Sequence, residues 1–155
     1  MQTPATAALD AAGIAYRATE YDTAAAGAYG EAVVRALGFD PGTVGKTLVV
    51  ALDDGRHVAA VVPVSGSLDL KALARLAGAK KATMADHADA ERLTGSVVGG
   101  ISPLGTRRPL PVFVDELLTI GEAVHVSGGR RGLELTLAPG DLVRATAAVV
   151  GDIAT

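Results

Sequence analysis

Lys46 is the first residue of the chain whose neighbours suggest a chemical role. It stands in GTVGKTLVV, residues 42–50, where the Gly-Lys-Thr triplet looks like the end of a phosphate-binding loop. Such a loop needs G-x-x-x-x-G-K-[ST] between a strand and a helix. The residue five positions before Gly45 is Asp40, and the apolar run after Lys46 predicts a strand, which argues against a kinase or ATPase. Lys46 therefore either reaches solvent past its own stem or lines the mouth of a pocket.

A second candidate is Ser102 in GGISP, which can be compared with the nucleophile elbow of a serine hydrolase. The pattern around it is G-x-S-x-x-G, one residue longer than the elbow requires. Pro103 follows and has no N–H to donate to an oxyanion, so Ser102 is a poor nucleophile. Gly99 and Gly100 either let backbone amides approach a ligand closely or form a tight turn.

The remaining candidates for chemistry do not form a recognisable site. His57, His87 and His125 lack metal-ligand spacing and are interpreted as surface or core histidines. The chain has no cysteine, which excludes disulfides, thiolate metal sites and a cysteine nucleophile. The segment SGGRRG, residues 127–132, is either a hairpin turn or a loop that binds phosphate. We expect no metal and no cofactor.

The length of the chain indicates a single domain over residues 1–155. The net charge is −3, but ten of the 14 basic residues lie after position 70. They include three dibasic pairs, which form either an RNA-binding surface or three solvated turns: Lys80-Lys81, Arg107-Arg108 and Arg130-Arg131. The chain has no apolar run long enough for a membrane and no secretory signal at its start, so we expect a cytoplasmic protein.

The pattern of helix and strand signals predicts an α+β fold. Helices are expected after Thr3-Pro4, over Glu31–Leu37, and in SLDLKALARLAG, ADHADAERLTG and APGDLVRATAAV. Strands are expected in KTLVVAL, RHVAAVVPV, LPVFVDEL, EAVHV and LELTL, with Asp54-Gly55 supplying the positive φ angles of the first hairpin turn. This order predicts a mixed, largely antiparallel curved sheet flanked by helices.

Together, several of these segments resemble the YbaK/EbsC family, the free-standing relatives of the editing domain in bacterial prolyl-tRNA synthetases. The resemblance covers nearly the whole chain, and GGISPLG and the SGG-basic-RG segment are specific to the family. Within the family, the pattern is most similar to the Cys-tRNA(Pro) deacylases.

The resemblance implies an enzyme that cleaves the ester between cysteine and tRNA(Pro). Cysteine and proline are similar in size, so one binding pocket cannot separate them well and a second sieve is needed. In the cysteine-specific members, the substrate thiol attacks its own ester carbonyl and leaves as a cyclic thiolactone. The protein then supplies position and electrostatics rather than a nucleophile.

The resemblance also assigns roles to residues of this sequence. The catalytic positions it implies are Lys46, Gly99, Gly100 and Ser102. The substrate-binding positions are Tyr21, Tyr29, Ile101, Pro103, Ser127, Gly128 and Glu134. The tRNA-binding positions are Arg107, Arg108, Arg130 and Arg131.

Two departures from the family pattern leave the amino-acid specificity open. Tyr29 stands where phenylalanine is common, and Glu134 stands where the cysteine-specific relatives often have aspartate. The nearest alternative is a family member that hydrolyses Ala-, Ser- or Thr-charged tRNA, and the extra polar groups would suit a substrate that bears a hydroxyl. A non-catalytic module that binds tRNA or the synthetase is a third hypothesis. The implied partners are the acceptor end of tRNA(Pro) and prolyl-tRNA synthetase, with a homo-oligomer left open.

Overall fold

A computed structural model describes residues 2–23 and 29–155, without the side chain of Tyr29. The helices in these residues are α1 (Pro4–Ala11), α2 (Tyr29–Leu37), α3 (Leu70–Ala77), α4 (His87–Thr94) and α5 (Pro139–Thr146), with a 3₁₀ helix at Glu116–Thr119. The strands are β1 (Arg17–Glu20), β2 (Gly45–Leu52), β3 (His57–Pro63), β4 (Ala82–Met84), β5 (Val112–Asp115), β6 (Val124–Ser127), β7 (Leu133–Leu137) and β8 (Val149–Gly151).

Local capping chemistry sets the helix boundaries that the sequence predicts. The Oγ1 of Thr3 accepts the N–H of Thr6 at 3.2 Å, and Pro4 is the first helical residue of α1. Helix α3 ends at Gly78, whose φ of 74° lies in the left-handed region that favours glycine. No helix within residues 2–23 or 29–155 combines the length and apolar character that crossing a bilayer requires.

The strands form two sheets. One has five strands in the order β4-β2-β3-β5-β8, in which β5 runs parallel to β3 and β8 runs parallel to β5. The other has three antiparallel strands in the order β1-β7-β6. The predicted α+β fold with mixed, largely antiparallel strands is confirmed, although the sequence did not indicate the division into two sheets.

Three strands were missed, and one predicted helix extends too far. Strands β1, β4 and β8 have at most four residues each, and a run that short shows little periodicity. Helix α5 was expected to close the chain, but it ends at Thr146 and Ala147 turns out of it with a φ of 53°. The next residues form β8, because a parallel edge of β5 is available to pair with them.

The turn of the first hairpin also differs from its prediction. Gly55 has a φ of 93°, but Asp54 does not share the positive φ: among the described residues, Ala147 is the one non-glycine residue with a positive φ. The N–H of Gly55 donates to the carbonyl of Leu52 at 3.1 Å, so a single left-handed residue completes a three-residue loop.

The two faces of the five-stranded sheet bury separate cores. On β3, Ala59 and Val61 pack towards the three-stranded sheet, α1 and α5. The alternate residues of β3 pack under α3, against Leu73 and Ala74. Both faces of β3 are therefore buried, which explains its continuous apolar run.

Asp115, at the end of β5, anchors the C-terminal segment. It is fully buried, and its Oδ1 accepts the backbone N–H of Ile153 at 2.9 Å and of Ala154 at 3.0 Å. Its Oδ2 accepts the N–H of Leu117 at 3.1 Å. One carboxylate thus joins the 3₁₀ helix and the last residues of the chain to the central sheet.

Replacing Asp115 with alanine is expected to lower the free energy of unfolding by about 3 kcal/mol, because three backbone N–H groups lose their acceptor. Urea denaturation would measure the change. The exposed neighbour Glu116 is the matched control, and Glu116→Ala should change stability by no more than about 0.5 kcal/mol. Equal effects of the two substitutions would contradict the anchoring role of Asp115.

Candidate active site

A cavity of about 320 Å³ lies where the N-terminal half of β2 meets α2, α4, the glycine-rich loop and the three-stranded sheet. Its wall includes the predicted site residues Tyr21, Lys46, Gly99, Ile101, Ser127 and Glu134. It also includes residues that the sequence did not single out: Gly30, Val33, Thr47, Met84 and Val98. A volume of this size is typical of small-ligand sites.

Lys46 lies near the start of β2 and is half-buried in the cavity wall. It pairs with Val62 of β3, so its backbone is fixed inside the central sheet. The sequence left two interpretations open, a lysine that reaches solvent and a lysine that lines a pocket. The structure agrees with the second. A cation at this point favours an anionic or electron-rich group of a ligand.

Glu134 contributes a carboxyl group to the cavity wall. It is 2% exposed, and it pairs with Ser127 on β6 and Thr19 on β1. Burial raises the pKa of Glu134 from 4.5 to about 8, so the carboxyl is mostly protonated at pH 7. The pKa of Tyr21 is raised too, first by burial and then by the nearby Glu134. This side of the cavity therefore offers neutral hydrogen-bonding groups.

Charged side chains hold the glycine-rich loop at Val98. The N–H of Val98 donates to Oε2 of Glu91 on α4 at 2.8 Å. Its carbonyl accepts from Nη2 and Nε of Arg131, at 2.8 and 3.2 Å. Both peptide groups of Val98 are thus fixed, and Gly99 follows in the cavity wall with a φ of 104°.

Gly100 explains why two glycines stand together. A Cβ at this position would lie 2.6 Å from the backbone carbonyl carbon of Arg130 and the backbone nitrogen of Arg131. Such a distance is too short for any side chain, so the loop can pack on the β6–β7 turn only as glycine. Gly100 itself is buried behind the cavity wall.

Three other predicted site residues lie outside the cavity lining. Ser102 is 2% exposed, and its Oγ accepts the N–H of Leu104 at 3.2 Å, which agrees with its rejection as a nucleophile. Pro103 is buried, and Gly128 packs against Leu133 and accepts from Thr3 at 2.6 Å. These residues support the loops. The predicted site side chain of Tyr29 lies outside the described residues.

The dibasic pairs occupy different places. The side chains of Arg107 and Arg108 are exposed, beyond the glycine-rich loop in sequence. Arg130 is half-buried and lies 3.5 Å from Oε1 of Glu20. The pair at residues 80–81 donates its backbone N–H groups to Asp53 at the far end of β2, about 23 Å from Lys46 at 3.3 Å per strand residue. The pair at residues 80–81 therefore does not lie beside Lys46 at the cavity.

The histidines also differ in role. His125 stacks on Phe39 with ring centroids 3.7 Å apart, its Nδ1 lies 2.7 Å from Oγ1 of Thr136, and burial lowers its pKa. It is a core histidine that ties the end of α2 to β6. His87 is exposed but lines the cavity. Among the described residues, no three His, Asp or Glu side chains come together as a metal site would require.

The buried carboxyl group makes stability depend on pH. Burial raises the pKa of Glu134 from its ordinary 4.5 to about 8 in the folded protein, so unfolding releases a proton between these pH values. The free energy of unfolding should therefore fall as the pH rises from 4.5 to 8. Glu134→Gln should remove most of that slope, as measured by urea denaturation at pH 5 and pH 8.

Glu122→Gln, at an exposed position, is the control and should keep the wild-type slope. Parallel pH dependences in wild type and Glu134→Gln would contradict the buried, neutral carboxyl.

Comparison with known proteins gives a consistent result. The family described as "Aminoacyl-tRNA editing domain" matches residues 24–145. A protein of Enterococcus faecalis named "Putative Cys-tRNA(Pro)/Cys-tRNA(Cys) deacylase EbsC" is 37% identical over 125 residues, 81% of this chain and 76% of that protein.

Solved structures agree in fold. One described as "a putative trans-editing enzyme for prolyl tRNA synthetase" superimposes with a TM-score of 0.88 at 26% identity, covering 100% of this chain and 99% of the other. A second structure, described as a hypothetical protein, superimposes with a TM-score of 0.88 at 29% identity, covering 99% of this chain and 100% of the other. The family match, the identity and the shared fold agree, and the chain belongs to the family of aminoacyl-tRNA editing domains.

Proposed function

We propose that this protein is a trans-acting aminoacyl-tRNA deacylase that removes cysteine from Cys-tRNA(Pro). The observation that carries the proposal is a cavity that combines Lys46 and the glycine-rich loop held at Val98 but, among the described residues, contains no activated serine or threonine. The similarity to EbsC and to the trans-editing protein supports the substrate class.

The contacts of the cavity hydroxyls exclude the usual activated serine or threonine. The Oγ of Ser127 accepts the N–H of Gly129 at 3.3 Å, and Oγ1 of Thr47 has no hydrogen-bond partner within residues 2–23 and 29–155. Among the described residues, neither hydroxyl hydrogen-bonds to a histidine or a carboxylate, which would be needed to remove its proton. The attacking group must then come from the substrate or from water.

The cysteine thiol of the substrate meets this requirement. Its sulfur attacks the ester carbonyl carbon and forms the C–S bond of a thiolactone. The C–O ester bond breaks, and the thiol proton passes to the ribose oxygen that leaves with the tRNA. Lys46 and the amides of the glycine-rich loop would stabilise the charge that develops on the oxygens. Water attack would need a base, and Glu134 is a weak one while its carboxyl is protonated.

We further propose that the whole chain acts as one editing domain in the cytoplasm, where charged tRNA(Pro) and prolyl-tRNA synthetase are its partners. The exposed Arg107 and Arg108 would contact phosphates of the acceptor end.

Deacylation of tRNA(Pro) charged with Cys, Ala, Ser, Thr or Pro tests this proposal. We expect rapid loss of cysteine with thiolactone as the product, and a decrease in kcat/KM of at least about 100-fold in Lys46→Ala. Lys71→Ala, on the exposed surface of α3, is the matched control and should match wild type. Preferred release of Ala, Ser or Thr would change the substrate. Retained tRNA binding without any turnover would indicate a non-catalytic module.

Arg131 and Arg108 should affect different steps. Arg131→Ala is expected to lower kcat about tenfold with little change in KM for tRNA, because the hydrogen bonds that hold Val98 are lost. Arg108→Ala should instead raise KM and weaken its dependence on salt. Steady-state kinetics from 50 to about 300 mM salt would separate the two. A raised KM with an unchanged kcat in both variants would show that Arg131 is a tRNA contact.

A further inference from the structure

The hydrogen-bond register of β2 determines which way each of its backbone groups points. At one end of the β2–β3 ladder, the N–H of Leu52 donates to the carbonyl of Arg56 at 2.8 Å. Beyond the other end, the N–H of Val64 donates to the carbonyl of Val44, also at 2.8 Å. Along an antiparallel strand, the backbone N–H and C=O groups of successive residues point alternately to the two edges. The even-numbered residues of β2 therefore hydrogen-bond to β3. The N–H and C=O of Thr47 therefore point to the opposite edge.

Two different strands share that opposite edge, and they leave a gap between them. The carbonyl of Thr43 accepts the N–H of His125, in β6, at 3.0 Å. The carbonyl of Val49 accepts the N–H of Ala85, just after β4, at 3.0 Å. Thr47 lies between these two bonds. Among the described residues, none hydrogen-bonds to its backbone N–H or C=O across this edge.

The side chain of Thr47 provides a second observation at the same place. Its Oγ1 is buried and has no hydrogen-bond partner in the part of the chain that the structure describes, although buried polar atoms are nearly always paired. Thr47 lines the cavity next to Lys46. A strand edge with an open ladder position and an unpaired hydroxyl, both facing a cavity, indicates a position that a ligand completes.

We propose that the aminoacyl group of the substrate fills this gap as a one-residue strand, paired with the backbone of Thr47. In an antiparallel ladder, two opposite residues can exchange both N–H···O=C bonds. An aminoacyl ester carries an α-ammonium N–H and a carbonyl oxygen on one residue, as a strand residue does. The carbonyl of Thr47 accepts from the ammonium group, and the N–H of Thr47 donates to the ester carbonyl oxygen. This subsite rests on the proposed deacylase function.

The same pairing gives a way to spare correctly charged tRNA. A pocket that selects by size discriminates poorly between cysteine and proline, because the two are similar in size. A strand edge can discriminate between them by the direction of the ammonium N–H bonds. A prolyl ester keeps two ammonium hydrogens, but its ring fixes their directions and places Cδ close to the direction in which a strand residue points its N–H. The ring would therefore meet the carbonyl of Thr47 where an ammonium hydrogen should lie. Cysteine and other primary amino acids pair at this edge, and proline does not.

Amide hydrogen exchange measured by NMR tests the pairing. The probe is the non-hydrolysable 3′-deoxy-3′-(L-cysteinylamino)adenosine, and the matched probes are its prolyl analogue and unacylated 3′-amino-3′-deoxyadenosine. We expect saturating cysteinyl probe to slow exchange of the Thr47 amide at least tenfold. The prolyl and unacylated probes should leave that rate unchanged within twofold.

A cysteinyl probe that shifts the resonances of Lys46 and Glu134 but leaves Thr47 exchange unchanged would overturn the pairing while keeping the function. Equal protection by the prolyl probe would overturn the discrimination. No binding by any probe, together with no deacylation of charged tRNA, would overturn both the pairing and the proposed function.

Thr47→Val separates the backbone from the side chain. Valine keeps the strand and its backbone groups but lacks the hydroxyl, so protection of residue 47 by the cysteinyl probe should persist within threefold. Loss of that protection in a folded variant would assign the contact to the hydroxyl and overturn the backbone assignment.

Discussion

The position of β2 between two sheets is the constraint on which the site depends. This strand pairs along its length with β3, but its other edge meets the β6 region at Val44 and β4 only from Val50 onwards. A fully paired strand would leave no opening at this edge. Because neither neighbour covers the middle of the edge, the cavity forms inside the fold and brings both faces of β2 into its wall.

The loops around this opening are rigid for electrostatic and steric reasons. A carboxylate from α4 and a guanidinium from the β6–β7 turn hold the two peptide groups of Val98. Gly100 then packs directly on the backbone of the same turn. The glycine-rich loop and the SGG-basic-RG segment are therefore one structural unit. Preorganised amides of this kind suit a reaction in which the substrate brings its own nucleophile.

The buried carboxyl of Glu134 lowers the stability of the fold but offers a hydrogen-bonding group to a ligand. Burial disfavours its charged form, and none of the described residues compensates with a hydrogen bond to the carboxyl. Such a group destabilises the folded protein at neutral pH and above. A protonated carboxyl beside Tyr21 can donate a hydrogen bond to a small polar substrate, which a carboxylate cannot do.

Features that depend on neighbouring residues could be predicted from the sequence alone. Caps and glycines marked most helix ends, the apolar runs identified β2 and β3, and Pro103 excluded Ser102 as an elbow nucleophile. The family motifs pointed to Lys46, Gly99 and Glu134, and the structure brings these three residues to one cavity. Other features depend on how distant segments pack and could not be predicted in this way. The short strands β1, β4 and β8 exist because partner edges are available, and the roles of Thr47 and Arg131 depend on contacts between segments distant in sequence. Local patterns report local backbone preferences, whereas a gap in a sheet is a property of several strands and appears only when they pack.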